Sequence, residues 1–162
     1  MTDINKKQYL SEAEAVALVE LLFFAYRDFV SDPDEILEEL GFGRAHHRIL
    51  HFIGRDPGMT VASLLDILKI TKQSLARVLK EMIDKDYVFK KEGEVDRRQR
   101  LLHLTDKGET LRQKLIAPQI ARFQRAAAET GGAGFHDMLL HLINPKNRDV
   151  ASDWILRLRS SP

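Results

Sequence analysis

Between residues 60 and 105 the chain carries three patterns in a fixed order, and that order leaves few folds open. MTVASLLDILKI reads as one short helix and TKQSLARVLKEMIDKDYV as a second, with a tight break between them. Thr60 and Thr71 each stand just ahead of an apolar-periodic segment, where N-cap residues belong. Leu75, Val78, Leu79, Met82 and Ile83 recur at the three-and-four spacing of a single buried helix face. YVFKKEGEVDRRQRLLHLT then reads as two short strands, residues 87–91 and 100–104, joined by a turn containing Gly93. Helix, turn, helix, then a basic two-stranded ribbon is the layout of a winged helix-turn-helix, so the expected class is mainly α with a small β-wing.

Helical arms flank this unit. Residues 11–30, SEAEAVALVELLFFAYRDFV, open with a capping box, Ser11 with Glu14. Val16, Val19, Leu22, Phe23, Tyr26 and Val30 form a stripe, and Leu21, Phe24 and Phe29 widen it beyond one face. A helix apolar on most sides is covered on most sides, and in a chain of 162 residues a partner subunit is the expected cover. Ser31-Asp32-Pro33 predicts the end of that helix, followed by a short acidic turn or helix stopping at Gly41 and Gly43. Residues 44–54 read as another helix, and Asp56-Pro57-Gly58 as a turn. Past the ribbon, a long helix is expected from Thr105 towards Glu129, kinked at Pro118. A glycine-rich break at 130–134 precedes two closing helical segments, 135–143 and 149–158. The expected division is 1–42, an N-terminal dimerisation helix and acidic turn; 43–105, the winged helix-turn-helix module; and 106–162, C-terminal dimerisation helices.

The net charge of +1 says little about partners, but its distribution says more. Residues 1–42 hold three Lys and Arg against ten Asp and Glu, whereas residues 69–100 hold ten against six. Local field governs phosphate binding, so the positive excess on the helix-turn-helix and ribbon points to double-stranded DNA as partner. Cysteine is absent, which removes disulfides, thiolate zinc sites and cysteine redox sensing together. No apolar run is long enough to cross a membrane, and MTDINKKQYL lacks the apolar core of a secretion signal. The expected setting is the cytoplasm, with no membrane partner.

With Thr71 as N-cap, Lys72, Gln73, Ser74 and Arg77 lie on the outer face of the first two helical turns, where a recognition helix meets base edges. Gln73 can pair bidentately with adenine and Arg77 with guanine; Ser74 and Lys72 suit phosphate or base contacts. At the ribbon's end stand Arg97, Arg98 and Arg100. Strand alternation places Arg98 and Arg100 on one face and Arg97 on the other, and arginines at a wing tip suit a narrow minor groove. Asp96 would repel phosphate, so its expected role is to pair with a neighbouring arginine and fix its direction.

The segment Asp96-Arg97-Arg98-Gln99-Arg100-Leu101-Leu102-His103-Leu104-Thr105 resembles the D-x-R-x-x-x-x-x-L-T signature of MarR-type transcriptional regulators, and Asp106-Lys107-Gly108 continues the family's L-T-x-x-G. LLDILKITKQSLARVLKEMIDKDYV is similar to the family's helix-turn-helix, and the likeness extends over roughly residues 11–158. The resemblance implies a homodimer joined through its terminal helices. It also implies binding to a pseudo-palindromic operator, usually as a repressor. By motif match Arg98 is the wing arginine and Asp96 its orienting partner. Asp86 stands where the family often has glycine, a residue type that still tolerates a left-handed turn. The missing cysteine departs from the family's thiol-based peroxide sensors.

The remaining constellations are weaker. His46, His47 and His51 share one predicted helix, with His47 and His51 one turn apart, a spacing that can hold a transition metal. No carboxylate lies at matching spacing there, and His103, His136 and His141 could join only through tertiary contact, so the expectation is no metal and no cofactor. The plainer reading is packing and hydrogen bonding where arm meets winged module. In families of this type that junction also holds small-molecule pockets, which makes Tyr26, His47, Arg48 and His51 candidates to line an effector site. No nucleophile–base pair, Walker loop or dinucleotide fingerprint occurs, which argues against an enzyme. The alternative from another class is a winged-helix protein–protein interaction module without DNA binding. The basic residues on helix and ribbon count against it.

Overall fold

The computed structural model describes residues 10–159; the reading of the first nine residues lies outside them. Helix α1 (Glu12–Glu39) starts at the expected capping box, Ser11 Oγ accepting from Glu14 N–H while a Glu14 carboxylate oxygen accepts from Ser11 N–H. It then continues through Pro33, where the sequence reading ended it. Proline removes the hydrogen bond to the carbonyl four residues back, here Phe29. In this fold the Gln119 side-chain amide donates to that carbonyl at 3.2 Å. With the orphan acceptor satisfied and Pro33 itself buried, the helix runs on, and the acidic segment 34–39 is its last turns, ending before Gly41 at φ 67°.

Four short elements and a small sheet follow. Helix α2 (Arg44–Arg55), strand β1 (Met59–Thr60), α3 (Val61–Leu68) and α4 (Lys72–Asp84) lead to the ribbon β2 (Val88–Glu92) and β3 (Arg100–Leu104). The threonine caps stand as expected: Thr60, Thr71 and Thr105 accept from the N–H of Ser63, Ser74 and Gly108. The sheet has three strands, not two, in the order β1-β3-β2, with Met59 opposite Leu102 and Thr60 opposite Leu101. A two-residue strand carries no alternation to read, so only its pairing reveals it. The turn between α3 and α4 places Lys69 in the left-handed region, φ 53°, and Asp86 after α4 adopts φ 63°, the conformation expected of it.

Ile49, Leu50 and Ile53 of α2 meet Leu64, Leu75 and Met82 from α3 and α4 in the centre of the core, all fully buried. Leu102 closes that core from the sheet and Leu115 from α5 (Asp106–Thr130). Helix α5 passes through Pro118 without interruption, then Gly131 caps it in a left-handed conformation. Helices α6 (Phe135–Leu142) and α7 (Pro145–Arg159) complete the chain, and the ring of Trp154 on α7 meets Phe52 of α2 edge-on, with centroids 5.3 Å apart.

The arms are apolar outside as well as in. Val19 and Phe23 of α1 are 70% and 64% exposed, and Phe135, Met138 and Leu142 of α6 also face outward. Large apolar side chains are thus exposed on both terminal arms.

Candidate nucleic-acid interface and adjoining cleft

Helix α4 divides cleanly into two faces. Leu75, Val78, Leu79 and Met82 are buried, while Lys72, Gln73, Ser74 and Arg77 are exposed on the opposite side. The Ser74 hydroxyl is already engaged, accepting from Thr71 Oγ1 at 2.9 Å as part of the cap, which leaves its proton free to donate outward. Lys80, one turn beyond Arg77, extends the basic stripe but is paired with Asp84. Lys69 is exposed immediately before the helix, a cation that helical periodicity could not assign because it sits in the turn.

The wing differs from its expected geometry in two respects. Arg97 and Arg98 lie in a turn, and only Arg100 begins a strand, so strand alternation does not sort them onto faces. Asp96 meets Arg98 through the backbone: its Oδ1 accepts from Arg98 N–H at 2.9 Å, and no guanidinium is its partner among the described residues. Short polar side chains make such turns with the backbone two residues on. The turn is further closed by Gly93 N–H donating to Gln99 O and Gln99 N–H to Asp96 O. A Cβ at Gly93 would come 2.5 Å from the Asp96 carbonyl oxygen, which is why glycine stands there. Arg100 donates from Nη1 to Arg97 O at 2.7 Å. The guanidinium groups of Arg97 and Arg98 remain exposed with no protein partner among the described residues, and Lys90 and Lys91 of β2 add exposed charge along the stem.

Behind the helix-turn-helix, α1, α2 and α5 enclose a cleft of about 390 Å³. The four residues singled out from sequence, Tyr26, His47, Arg48 and His51, all line it, with Phe29 and Phe123 among its apolar walls. His47 and His51 arrive together because they are one turn apart on α2; Tyr26 arrives only by packing, its hydroxyl accepting from Arg48 at 3.4 Å. Arg44 and Asp34, also lining residues, form a bidentate ion pair that ties α2 to α1. The cleft is mostly apolar, with Tyr26, His47, Arg48 and His51 as polar groups on its wall.

Burial holds the His51 imidazole down to about 4, with Arg112, His47 and Arg55 adding to the effect. Burial lowers His47 as well, Arg48 reinforcing the shift and Asp34 opposing it. Both rings are therefore neutral near neutral pH. In the unfolded chain His51 titrates near 6.5. Below that pH the unfolded chain takes up a proton that the folded one refuses. Stability is therefore present above about 6.5, is lost as pH falls towards about 4, and levels off below. The gap corresponds to about 3 kcal/mol. Urea unfolding of His51→Gln across that window is expected to show a markedly shallower decline than the parent; an equal decline would assign the acid sensitivity to other groups.

His46 does not join its neighbours. It is buried, stacked on Phe42 with centroids 4.4 Å apart, and its Nδ1 accepts from Gly43 N–H. Its Nε2 therefore carries the proton and donates to Glu81 of α4 at 2.9 Å. Lys85 first, then His46, hold the Glu81 carboxyl down at about 2. The residue is a joint between α2 and α4, the plainer reading of that histidine. Elsewhere His103 stacks on Phe89 and His136 contacts Asp137; among the described residues no three His, Cys, Asp or Glu side chains gather to hold a metal ion.

Comparison with known proteins agrees with this geometry. The model of the MarR family matches residues 40–99, the helix-turn-helix and the wing up to its tip. The chain is 44% identical over 143 residues to the HTH-type transcriptional regulator PetP of Rhodobacter capsulatus, covering 86% of each protein. Among solved structures, a MarR family transcription regulator superposes with a TM-score of 0.68 at 18% identity, over 86% of this chain and 94% of that one. A mutant S. aureus MepR bound to an oligodeoxyribonucleotide superposes with a TM-score of 0.56 at 18% identity, over 77% and 97%.

Proposed function

Since the chain belongs to the MarR family of helix-turn-helix transcriptional regulators, we propose that it acts in the cytoplasm as a homodimer on a pseudo-palindromic DNA operator, as a repressor. The observation that carries this reading is the exposed face of α4, with Lys72, Gln73, Ser74 and Arg77 free of the core, in one module with a wing whose Arg97 and Arg98 guanidinium groups have no protein partner among the described residues. In this reading each α4 enters a major groove, with Gln73 and Arg77 reading base edges, and each wing reaches the flanking minor groove. The dimer forms through the apolar arms, and its symmetry sets the half-sites about one helical turn apart.

A small-molecule effector in the cleft completes the proposal. Helix α2 lines the cleft with His47, Arg48 and His51 and is joined to α4 by the His46–Glu81 hydrogen bond. A ligand that displaces α2 therefore displaces the recognition helix. It favours dimers whose spacing misfits the operator, to the extent that it binds them better than the DNA-competent form.

The test is selection of bound fragments from random and genomic DNA, followed by footprinting. Two symmetric protected half-sites about one helical turn apart are expected; no enrichment by a folded protein would count against DNA reading and favour a protein-binding winged helix. On the selected operator, Gln73→Ala is expected to relax base preference at one position per half-site, at about 1–3 kcal/mol. An unchanged preference across randomised operators would remove Gln73 from the readout. Arg98→Ala is expected to weaken all sequences alike and lower the salt slope by about one; equal affinity and slope would take the wing out of the mechanism.

A further inference from the structure

We propose that Arg100 is a positioning residue of the wing, holding the 92–100 loop in the shape that presents Arg97 and Arg98, and not itself a DNA contact. This rests on the reading of the wing as a DNA-contacting loop.

Its guanidinium turns back onto the loop, although the side chain stays about half exposed. Nη1 donates to Arg97 O at 2.7 Å and lies 3.4 Å from Gln99 O, while Nη2 lies 3.6 Å from Glu92 Oε1. One side chain on β3 thus reaches the end of β2 and the crest of the loop. An exposed ion pair at that distance contributes little alone. The short charge-assisted bond to the Arg97 carbonyl is the stronger contact, and it acts on the peptide that joins the two unpartnered arginines. A bidentate grip on a phosphate needs two parallel N–H groups. A grip that used Nη1 would release Arg97 O and loosen the loop just when it is needed. A loop ordered in advance spares the entropy of ordering it on binding. Lysine keeps the charge, but its single nitrogen cannot serve carbonyl and carboxylate together as a planar fork does.

The experiment uses the full-length protein and the operator fragment it selects. Arg100→Lys is compared with the parent, and both are repeated in an Arg97→Ala/Arg98→Ala background. Amide exchange at Gly93 and Gln99, whose N–H groups close the turn, is followed by NMR without DNA. Arg100→Lys is expected to speed exchange at both amides and weaken operator binding roughly tenfold, the effect of losing one charge-assisted hydrogen bond. In the doubly substituted background it is expected to change affinity no further, because the groups it positions are gone. A loss that persists undiminished there would make Arg100 a direct DNA contact and overturn the proposal. Unchanged exchange, with the Arg97→Ala/Arg98→Ala protein still binding weakly, would overturn the positioning role alone. Parent-like affinity of that double variant would retire the DNA-reading wing, and the positioning role with it.

Discussion

Replacing Val19 and Phe23 together by glutamate is expected to turn the proposed dimer into a monomer of 18.6 kDa and to weaken operator binding by about 10²–10⁴-fold, the usual advantage of two linked modules. The two residues stand one turn apart on α1 and are the most exposed of its large apolar side chains. Leu21, Leu22 and Phe24, also exposed, stand beside them on the same helix. A glutamate pair placed there would have to be desolvated in both copies, with Arg27, one turn beyond position 23, as the cation at hand. Neither position touches the winged module's core, so circular dichroism should show a folded chain. Light scattering that still reports a dimer, with full operator affinity, would move the interface off this face of α1.

Gly108→Ala is expected to lower stability by about 2 kcal/mol, although alanine is the better helix former by up to about 1 kcal/mol. A Cβ at Gly108 would lie 2.1 Å from the Tyr87 carbonyl oxygen, a backbone atom that no rotamer change can move. That oxygen is also fixed from the other side, accepting from Thr105 N–H at 3.1 Å. Thr105 Oγ1 donates to Asp86 O at 2.7 Å and accepts from Gly108 N–H at 3.0 Å. The start of α5, the end of β3 and the left-handed turn after α4 therefore share one knot of backbone bonds. Relieving the contact means shifting α5 against the helix-turn-helix, so operator affinity should fall with the melting temperature. An unchanged or raised melting temperature would show that the junction yields without cost.

The residues of that knot illustrate what a sequence discloses. Thr60, Thr71 and Thr105 are legible as caps because a cap bonds to an N–H three residues on, within the reach of local reading. Asp86 is legible as a left-handed turn only through the resemblance to a family that often has glycine at that position. The face of α4 was legible too, since burial of Leu75, Val78, Leu79 and Met82 leaves the positions between them outside. His47 and His51 reach the cleft together through helical spacing, but nothing local says that Tyr26 faces them or that His46 turns away to Glu81.

Where a group's partner lies far along the chain, the local signal was misleading or silent. Pro33 reads as a stop until Gln119, 86 positions later, supplies the hydrogen bond that the helix lacks. β1 is invisible until Leu101 and Leu102 pair with it. Nothing in the spacing says that Asp96 meets Arg98 through its backbone N–H, or that Arg100 Nη1 bonds to the Arg97 carbonyl. The sequence by itself determined the order of the two short helices and the ribbon, the caps, the amphipathic faces and the signature that places the chain among its relatives. These rest on bonds and periodicities spanning a few residues. Tertiary structure alone decided which orphan carbonyl found a donor, which histidine became a joint and which arginines stayed free. Those outcomes depend on groups that only the folded chain brings within hydrogen-bonding distance.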